Sequence, residues 1–181
     1  MAESGKVNTI NDLSSCDATV MLSLNNAHAK ETSSLDHASL TSLLDMAFYA
    51  RGIDHGATAF LIALDHNASY ESLNFVWFKA TRESFVYIDR VIVASSARGL
   101  GIARFLYDDL FVAAKQAGHD RVVCEVNIEP RNIASEAFHA AMGFDRVGQG
   151  SIHNGTKTVR YYEKTLRQTC LVSKSFPVPN E

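Results

Sequence analysis

The stretch Val91-Ile92-Val93-Ala94-Ser95-Ser96-Ala97-Arg98-Gly99-Leu100-Gly101-Ile102-Ala103-Arg104 constrains the fold more than any other part of the 181-residue chain. It passes from an apolar strand-like run through two closely spaced glycines into a segment whose Ile102, Leu106, Leu110, Ala113 and Ala117 form one helical stripe, with Gly118 as its stop. A strand feeding directly into an amphipathic helix calls for a sheet with helices packed on it. The first N–H groups of such a helix have no intrahelical partner and lie at the positive end of the dipole, which suits a phosphate. Gly99 and Gly101 let a pyrophosphate approach the main chain, and Arg98 adds a fixed charge. The dinucleotide fingerprint G-x-G-x-x-G fails because position 104 is Arg, and the Walker A pattern fails because Gly150 to Lys157 reads G-x-x-x-x-G-T-K. Taken alone, the two glycines are better read as turn residues at a helix entry.

The remaining periodicities place this junction within one domain. Ala18 to Leu24 reads as a strand, with Asn25-Asn26 as its turn, and Leu40, Leu43, Leu44 and Ala47 mark an amphipathic helix ending before Gly52. Thr58 to Leu64, a run through Asn74 to Phe78, and Ser84 to Val93 read as three further strands. Arg121 to Asn127 is a strand, Asn132 caps a helix from Ile133 to Met142, and Gly143 ends it. Arg146 to Ile152 and Thr158 to Leu166 flank Asn154-Gly155, the strongest hairpin signal in the chain. This order predicts an α/β domain over 17–166, with a loosely docked segment over 1–16 and a tail over 167–181.

Composition narrows the functions. Seventeen Lys and Arg against 20 Asp and Glu give a formal charge of -3, without the basic footprint of a nucleic-acid binder. Cys16, Cys124 and Cys170 form no CxxC pair, so neither a disulfide framework nor a zinc ribbon is indicated. The first fifteen residues lack the basic and apolar regions of a signal peptide, and no apolar run approaches the ~18 residues needed to cross a bilayer. A cytoplasmic protein, free of nucleic acid and membrane and compatible with a homodimer, is expected.

Two blocks carry a more specific resemblance. Arg98-Gly99-Leu100-Gly101-Ile102-Ala103 matches R/Q-x-x-G-x-G/A, and Asn132-Ile133-Ala134-Ser135-Glu136-Ala137-Phe138-His139-Ala140-Ala141-Met142-Gly143-Phe144 resembles N-x-x-A/S-x-x-F/L-Y-x-x-x-G-F. In this order and spacing they resemble the GNAT superfamily of acetyl-CoA-dependent N-acetyltransferases. The resemblance implies a mixed, mostly antiparallel sheet with splayed central parallel strands and helices on both faces. It implies acetyl-CoA as co-substrate, its pyrophosphate on Arg98 to Arg104, its pantetheine arm along Val91, Ile92 and Val93, and Asn132, Ser135 and His139 against it. Where many members carry a tyrosine that protonates the departing thiolate, this chain has His139, either an imidazole acid in its place or a helix-surface residue.

An amine must lose a proton before attacking a thioester, so a carboxylate near the acyl carbon is needed. By the period-2 rule Tyr87, Asp89, Val91 and Val93 share one face of their strand, as do Glu125 and Asn127 of theirs. Asp89 and Glu125 are therefore base candidates, with pairing of Asp89 to Arg90 as the plain alternative. Alternation puts Cys124 on the Val122 and Val126 face, as a small buried hydrophobe. Asn25, Asn26, His28, Tyr70, Tyr87 and Asn127 are acceptor-site candidates, and the aromatic stretch Phe75 to Phe78 is read as acceptor pocket or core. Asp36-His37, Asp54-His55 and Asp65-His66 lack helical ligand spacing, and no metal is expected. The expected reaction is acetyl transfer from acetyl-CoA to a primary amine of a small molecule, amino acid or peptide N-terminus. The alternative is a catalytically weak acyl-CoA-binding sensor or scaffold.

Overall fold

The computed structural model describes residues 9–14, 16, 18–152 and 155–166. One seven-stranded sheet organises them: β1 (Ile10–Asp12), β2 (Ala47–Ile53), β3 (Ala59–Asp65), β4 (Val86–Val93), β5 (Arg121–Glu129), β6 (Asp145–Ile152) and β7 (Lys157–Thr165), in the order β1-β2-β3-β4-β5-β7-β6. Every neighbouring pair is antiparallel except β4 with β5. The longer helices are α1 (Ala18–Ala27), α3 (His37–Asp45), α4 (Leu73–Thr81), α5 (Ile102–Gln116) and α6 (Ile133–Ala141), with a single turn, α2 (Ala29–Thr32), after α1.

Helices cover both faces of the sheet. On one face, Leu106, Tyr107 and Leu110 of α5 pack on Leu61, Ile88, Val122, Cys124 and Val126. On the other, Met21 of α1, Leu40 and Leu43 of α3, and Phe75 and Phe78 of α4 pack on Phe60, Ile62, Tyr87 and Val123. Because the central strands are buried from both sides, β3 reads as a nearly unbroken apolar run.

Three elements differ from the sequence expectation. Ala18 to Leu24, expected as a strand, is helical: Ala18, Met21 and Asn25 fall at helical spacing and are the residues that α1 buries. The first strand lies earlier, at Ile10–Asp12, and the adjoining Leu13 is fully buried, so the folded unit begins before residue 17. The run through Asn74 to Phe78, also expected as a strand, is α4, whose buried Asn74, Phe75 and Phe78 recur at i, i+1 and i+4. β2 follows α3 where only a helix stop was expected. The hairpin expected at Asn154-Gly155 has its strands in β6 and β7, with Asn154 outside the described residues.

Two features of β4 position the site. It pairs with β5 only at Val86↔Val122 and Tyr87↔Val123, after which the strands part. Against β3 its register shifts, Arg90 facing Ile62 and Ile88 facing Ala63, so that Asp89 is an extra residue in a bulge. The bulge breaks the period-2 expectation. Tyr87 belongs to the α4 face, whereas Val91 and Val93 pack with the α5 face.

Candidate functional site

Past Tyr87, β4 loses its partner on the β5 side, and its main chain from Ile88 to Val93 borders an open gap. Two connected cavities occupy that gap. The larger, about 500 Å³, runs along Val91, Ile92 and Val93 to the N-terminus of α5 and is closed by α6. The smaller, about 130 Å³, lies deeper between the strands and reaches Asp89, Tyr107, Glu125 and Asn127. Asn132, Ser135 and His139 line both.

The outer cavity has the features of an anion cradle. Gly99 and Gly101 have φ of +78° and +77°, in the left-handed region that favours glycine. A Cβ at either would meet nothing within 4 Å, so the main chain is bare on the side from which a ligand would come. The opening N–H groups of α5 lie beside them, and Arg98 and Arg104 both line the cavity. The Arg98 guanidinium is held by His28 at 3.0 Å. Phe138, Ile102 and Ala97 supply apolar wall. Charged groups at the mouth and an apolar trough along an unpaired strand fit a long ligand carrying phosphates at one end, as acetyl-CoA does.

Most of the residues expected at the cofactor converge here: Val91, Ile92, Val93, Arg98, Gly99, Gly101, Ile102, Ala103, Arg104, Asn132, Ser135 and His139. Leu100 instead projects to solvent, 69% exposed. Asn132 is in place because its side chain caps α6, accepting from the Ser135 N–H at 3.1 Å.

The inner cavity holds the titratable groups. Glu125 enters from the α4 side of β5, and its Oε1 accepts a hydrogen bond from Asn74 Nδ2 at 2.8 Å. Its Oε2 is sealed from solvent and makes no well-formed hydrogen bond among the described residues, although the Tyr87 hydroxyl lies close enough to the carboxyl to interact with it and the residue keeps a partly exposed edge. Burial pushes the carboxyl up to about 7, opposed by the Tyr87 hydroxyl and reinforced by the negative charge of Asp89. A group half ionised near neutrality and short of a partner is suited to taking up a proton. Asp89 is differently engaged: Tyr70 donates to its Oδ1 at 2.6 Å and Arg90 Nε to its Oδ2 at 2.6 Å. Both oxygens are thus occupied in a buried ion pair, which Arg90 extends to Asn25 Oδ1 at 2.7 Å.

His139 is 3% exposed rather than on the helix surface. Its Nδ1 lies 2.8 Å from the Ser135 carbonyl, which can only accept, so Nδ1 carries the proton and Nε2 is the acceptor in the neutral ring. Nε2 receives the Tyr107 hydroxyl at 2.9 Å. Burial lowers the imidazole pKa, with the Ser135 carbonyl opposing, and the ring rests at 29° on Tyr162. Tyr107, which sequence reasoning passed over, lines the inner cavity beside His139, and His139 alone of the two also reaches the outer one. The only sequence signal of Tyr107 is a hydroxyl on the buried face of α5 next to Leu106.

The expected acceptor residues scatter. Asn25 is fully buried and ties Arg90 to the Ser33 carbonyl. Asn26 binds both the N–H and the carbonyl of Leu35. His28 stands in the outer cavity beside Arg98. Tyr70 holds Asp89, Tyr87 is buried beneath Glu125, and Asn127 lines the inner cavity. Cys124 is buried on the opposite face, as alternation required.

The family model for Acetyltransferase (GNAT) matches residues 24–144. No curated protein matches the sequence. Among solved structures, the chain resembles the ribosomal-protein-S18-alanine N-acetyltransferase from Escherichia coli at 13% identity and TM-score 0.63, over 94% of this chain and 99% of that one. It resembles Ard1 from Thermoplasma volcanium at 13% identity and TM-score 0.67, over 89% and 99%. A Salmonella typhimurium structure that contains its cofactor acetyl-CoA matches at 17% identity and TM-score 0.61, over 90% and 95%. At these identities the likeness is one of fold.

Proposed function

Since the chain belongs to the GNAT acetyltransferase family and is an acetyl-CoA-dependent acyltransferase, we propose that it is an N-acetyltransferase acting on a primary amine, with Glu125 as the base. The observation that carries this reading is Glu125 itself, a carboxyl raised to about 7 whose Oε2 makes no well-formed hydrogen bond, in the gap beside the cofactor cradle. A hydroxyl or water acceptor would need a stronger base, whereas an ammonium needs only a carboxylate to give up its proton.

The cradle residues would hold the cofactor by its phosphates, with Arg98 and Arg104 at the charged end and Gly99 and Gly101 offering main-chain donors. Acetyl-CoA supplies the activated acyl group. The main-chain edge of β4 next to the bulge is positioned to orient that group and polarise its carbonyl. Glu125 Oε2 takes the amine proton, and Asn74 keeps the carboxylate aimed through Oε1. The acceptor's positive charge would be favoured by Glu125 once it is ionised, the charge of Asp89 being offset by Arg90 beside it. On the leaving-group side, Tyr107 is the proton-bearing group; its hydroxyl rests on His139 Nε2, its positioning residue, and would turn from it to the sulfur as the thiolate departs. Burial keeps the Tyr107 pKa well above that of a free phenol, so the hydroxyl stays protonated throughout the working range.

The test is thiol release from acetyl-CoA with amino acids, polyamines, aminoglycosides and peptide N-termini as acceptors, followed by a pH series on any that react. Turnover that rises with an apparent pKa near 7 and is lost in Glu125→Gln supports the reading. A folded protein that binds acetyl-CoA and releases thiol with no amine would overturn it in favour of an acyl-CoA sensor.

A further inference from the structure

At the far end of the sheet, Asp65, His66 and His119 stand together. Asp65 closes β3 and pairs with Val86, the first residue of β4, whereas the phosphate cradle follows Val93, its last. The two places are separated by the eight residues of β4, roughly 25 Å at 3.3 Å per residue. No residue of this cluster enters the acyl-transfer site.

The three side chains present their ligating atoms to a common point. His119 Nε2 lies 2.9 Å from Asp65 Oδ2, His66 Nδ1 lies 3.2 Å from Asp65 Oδ1, and all three ligand atoms fall within 4.8 Å of one another. Four atoms around a tetrahedral zinc at 2.0 to 2.1 Å would be about 3.3 Å apart, so the 3.2 Å spacing matches such an ion, and the 2.9 Å one, a hydrogen-bonding distance, would open by a few tenths of an ångström to admit it. The backbone fixes the ligands: the His66 N–H bonds to the Phe85 carbonyl at 3.1 Å and the His119 N–H to the Ala114 carbonyl at 2.9 Å.

Three further observations point to a metal rather than to an ion pair of Asp65 with a protonated histidine. His66 Nδ1 is sealed from solvent and makes no hydrogen bond although it lies 3.2 Å from Asp65 Oδ1, an oxygen that already accepts from the Asn67 N–H and Nδ2, and coordination would relieve that unfavourable state. His119 Nδ1 lies 3.3 Å from Ser84 Oγ, the outer-sphere contact that leaves Nε2 free as a ligand. Phe48 lies edge-on to His119 at 5.3 Å and Phe85 flanks His66 at 6.1 Å, which gives the ligands an apolar surround. On its other side, the His66 residue borders a cleft of about 540 Å³ lined also by Asn67, Lys79, Arg82 and Glu83.

We propose that Asp65, His66 and His119 form a zinc site that joins the β3–α4 turn to the α5–β5 turn, with its fourth position open. Two neutral imidazoles and one carboxylate are ligands that zinc accepts, and they leave the bound ion one net positive charge. The dipeptide Asp65-His66 carries no ligand spacing of its own, and the site exists only because the sheet brings His119 beside it.

The test is calorimetric titration of tag-free, EDTA-stripped protein with zinc sulfate, repeated with cobalt(II) to read the visible absorption of a tetrahedral complex. The expected result is one ion per chain and a higher melting temperature in zinc. Binding should fall more than roughly 100-fold in His66→Gln and in His119→Gln, and ~10-fold in Ser84→Ala, in line with the loss of an outer-sphere partner. Acetyl-CoA affinity is expected to be unchanged in all three variants, which makes this result independent of the acyltransferase reading. A wild type that takes up no zinc, or the same zinc affinity in folded His119→Gln, would overturn the proposal and leave an Asp65–His119 ion pair.

Discussion

Replacing Glu125 with glutamine should make the protein more stable and less active, for one reason. Burial raises this carboxyl from 4.5 to about 7, so the folded chain takes up a proton that the unfolded chain does not hold between those values. The sign follows from that difference. The wild type has its full stability below pH 4.5, loses it as the pH rises through the window up to about 7, and loses no more above it. At about 1.4 kcal/mol per pH unit, an ionised Glu125 costs the fold about 3 kcal/mol at pH 8 and under about 1 kcal/mol at pH 5. Glutamine has no such term and can still accept from Asn74 through its Oε1. Thermal unfolding at the two pH values should show the variant's advantage growing by about 2 kcal/mol, which corresponds to about 4 to 8 °C for a domain of this size. In the thiol-release assay the same variant should lower kcat by ~10² or more with little change in acetyl-CoA Kd, because a general base acts only in the transition state. A stability difference that stays constant from pH 5 to pH 8 would refute the buried-acid argument, and an unchanged kcat would remove Glu125 from the mechanism.

Gly101→Glu should abolish acetyl-CoA binding seen by calorimetry while the protein stays folded, since the carboxylate enters the anion cradle, its Cβ meets nothing within 4 Å, and the left-handed backbone costs only about 1 to 2 kcal/mol; undiminished affinity would reduce the loop to a turn. Tyr107→Phe keeps the packing but leaves the sulfur side without its proton, and should lower kcat by ~10², whereas His139→Gln should have a smaller effect. Equal losses in the two would return the acid role to His139. Because burial lowers the His139 pKa below 6.5, its share of stability is complete above that value and is lost as the pH falls below it; His139→Gln should flatten the acid limb of the stability profile. Arg90→Ala should cost about 3 to 5 kcal/mol in urea unfolding, because Asp89 would remain buried without its cation.

The parts of this molecule legible in the sequence are those set by local chemistry. The Gly99 and Gly101 turn, the Asn132 cap and the Gly143 stop each depend on a residue type that few others can replace, and all three stand where the sequence put them. Cys124 follows from alternation along an unbroken strand. Short apolar segments were less readable: Ala18 to Leu24 and Asn74 to Phe78 have β-compatible composition, but the tertiary contacts of α1 and α4 decide for helix. The bulge at Asp89 has no local signature, so the period-2 rule joined Tyr87 to Val91 and Val93 across a point where the strand changes face. Contacts made across the fold, such as Tyr107 to His139, Asn74 to Glu125 and Asp65 to His119, could not be read from spacing at all.

That bulge also explains how one strand can serve two halves of a reaction. Before it, β4 is paired on both edges and carries Tyr87 into the α4 core; after it, the β5 edge is bare and Val91 and Val93 turn to the α5 side, where the cradle begins. A bulge costs ladder hydrogen bonds and needs support from its surroundings. Here the support is the ion pair of the extra residue itself: Asp89 binds Arg90, and Arg90 reaches Asn25 in α1, while Tyr70 grips Asp89 from the other side. The polar residues that sequence reasoning assigned to the acceptor, Asn25 and Tyr70, thus brace the strand. Asp89 can serve there because both of its oxygens are taken, by Tyr70 and by Arg90. Glu125, across the gap with an oxygen that makes no well-formed hydrogen bond and a carboxyl raised to about 7, is the one placed to exchange a proton.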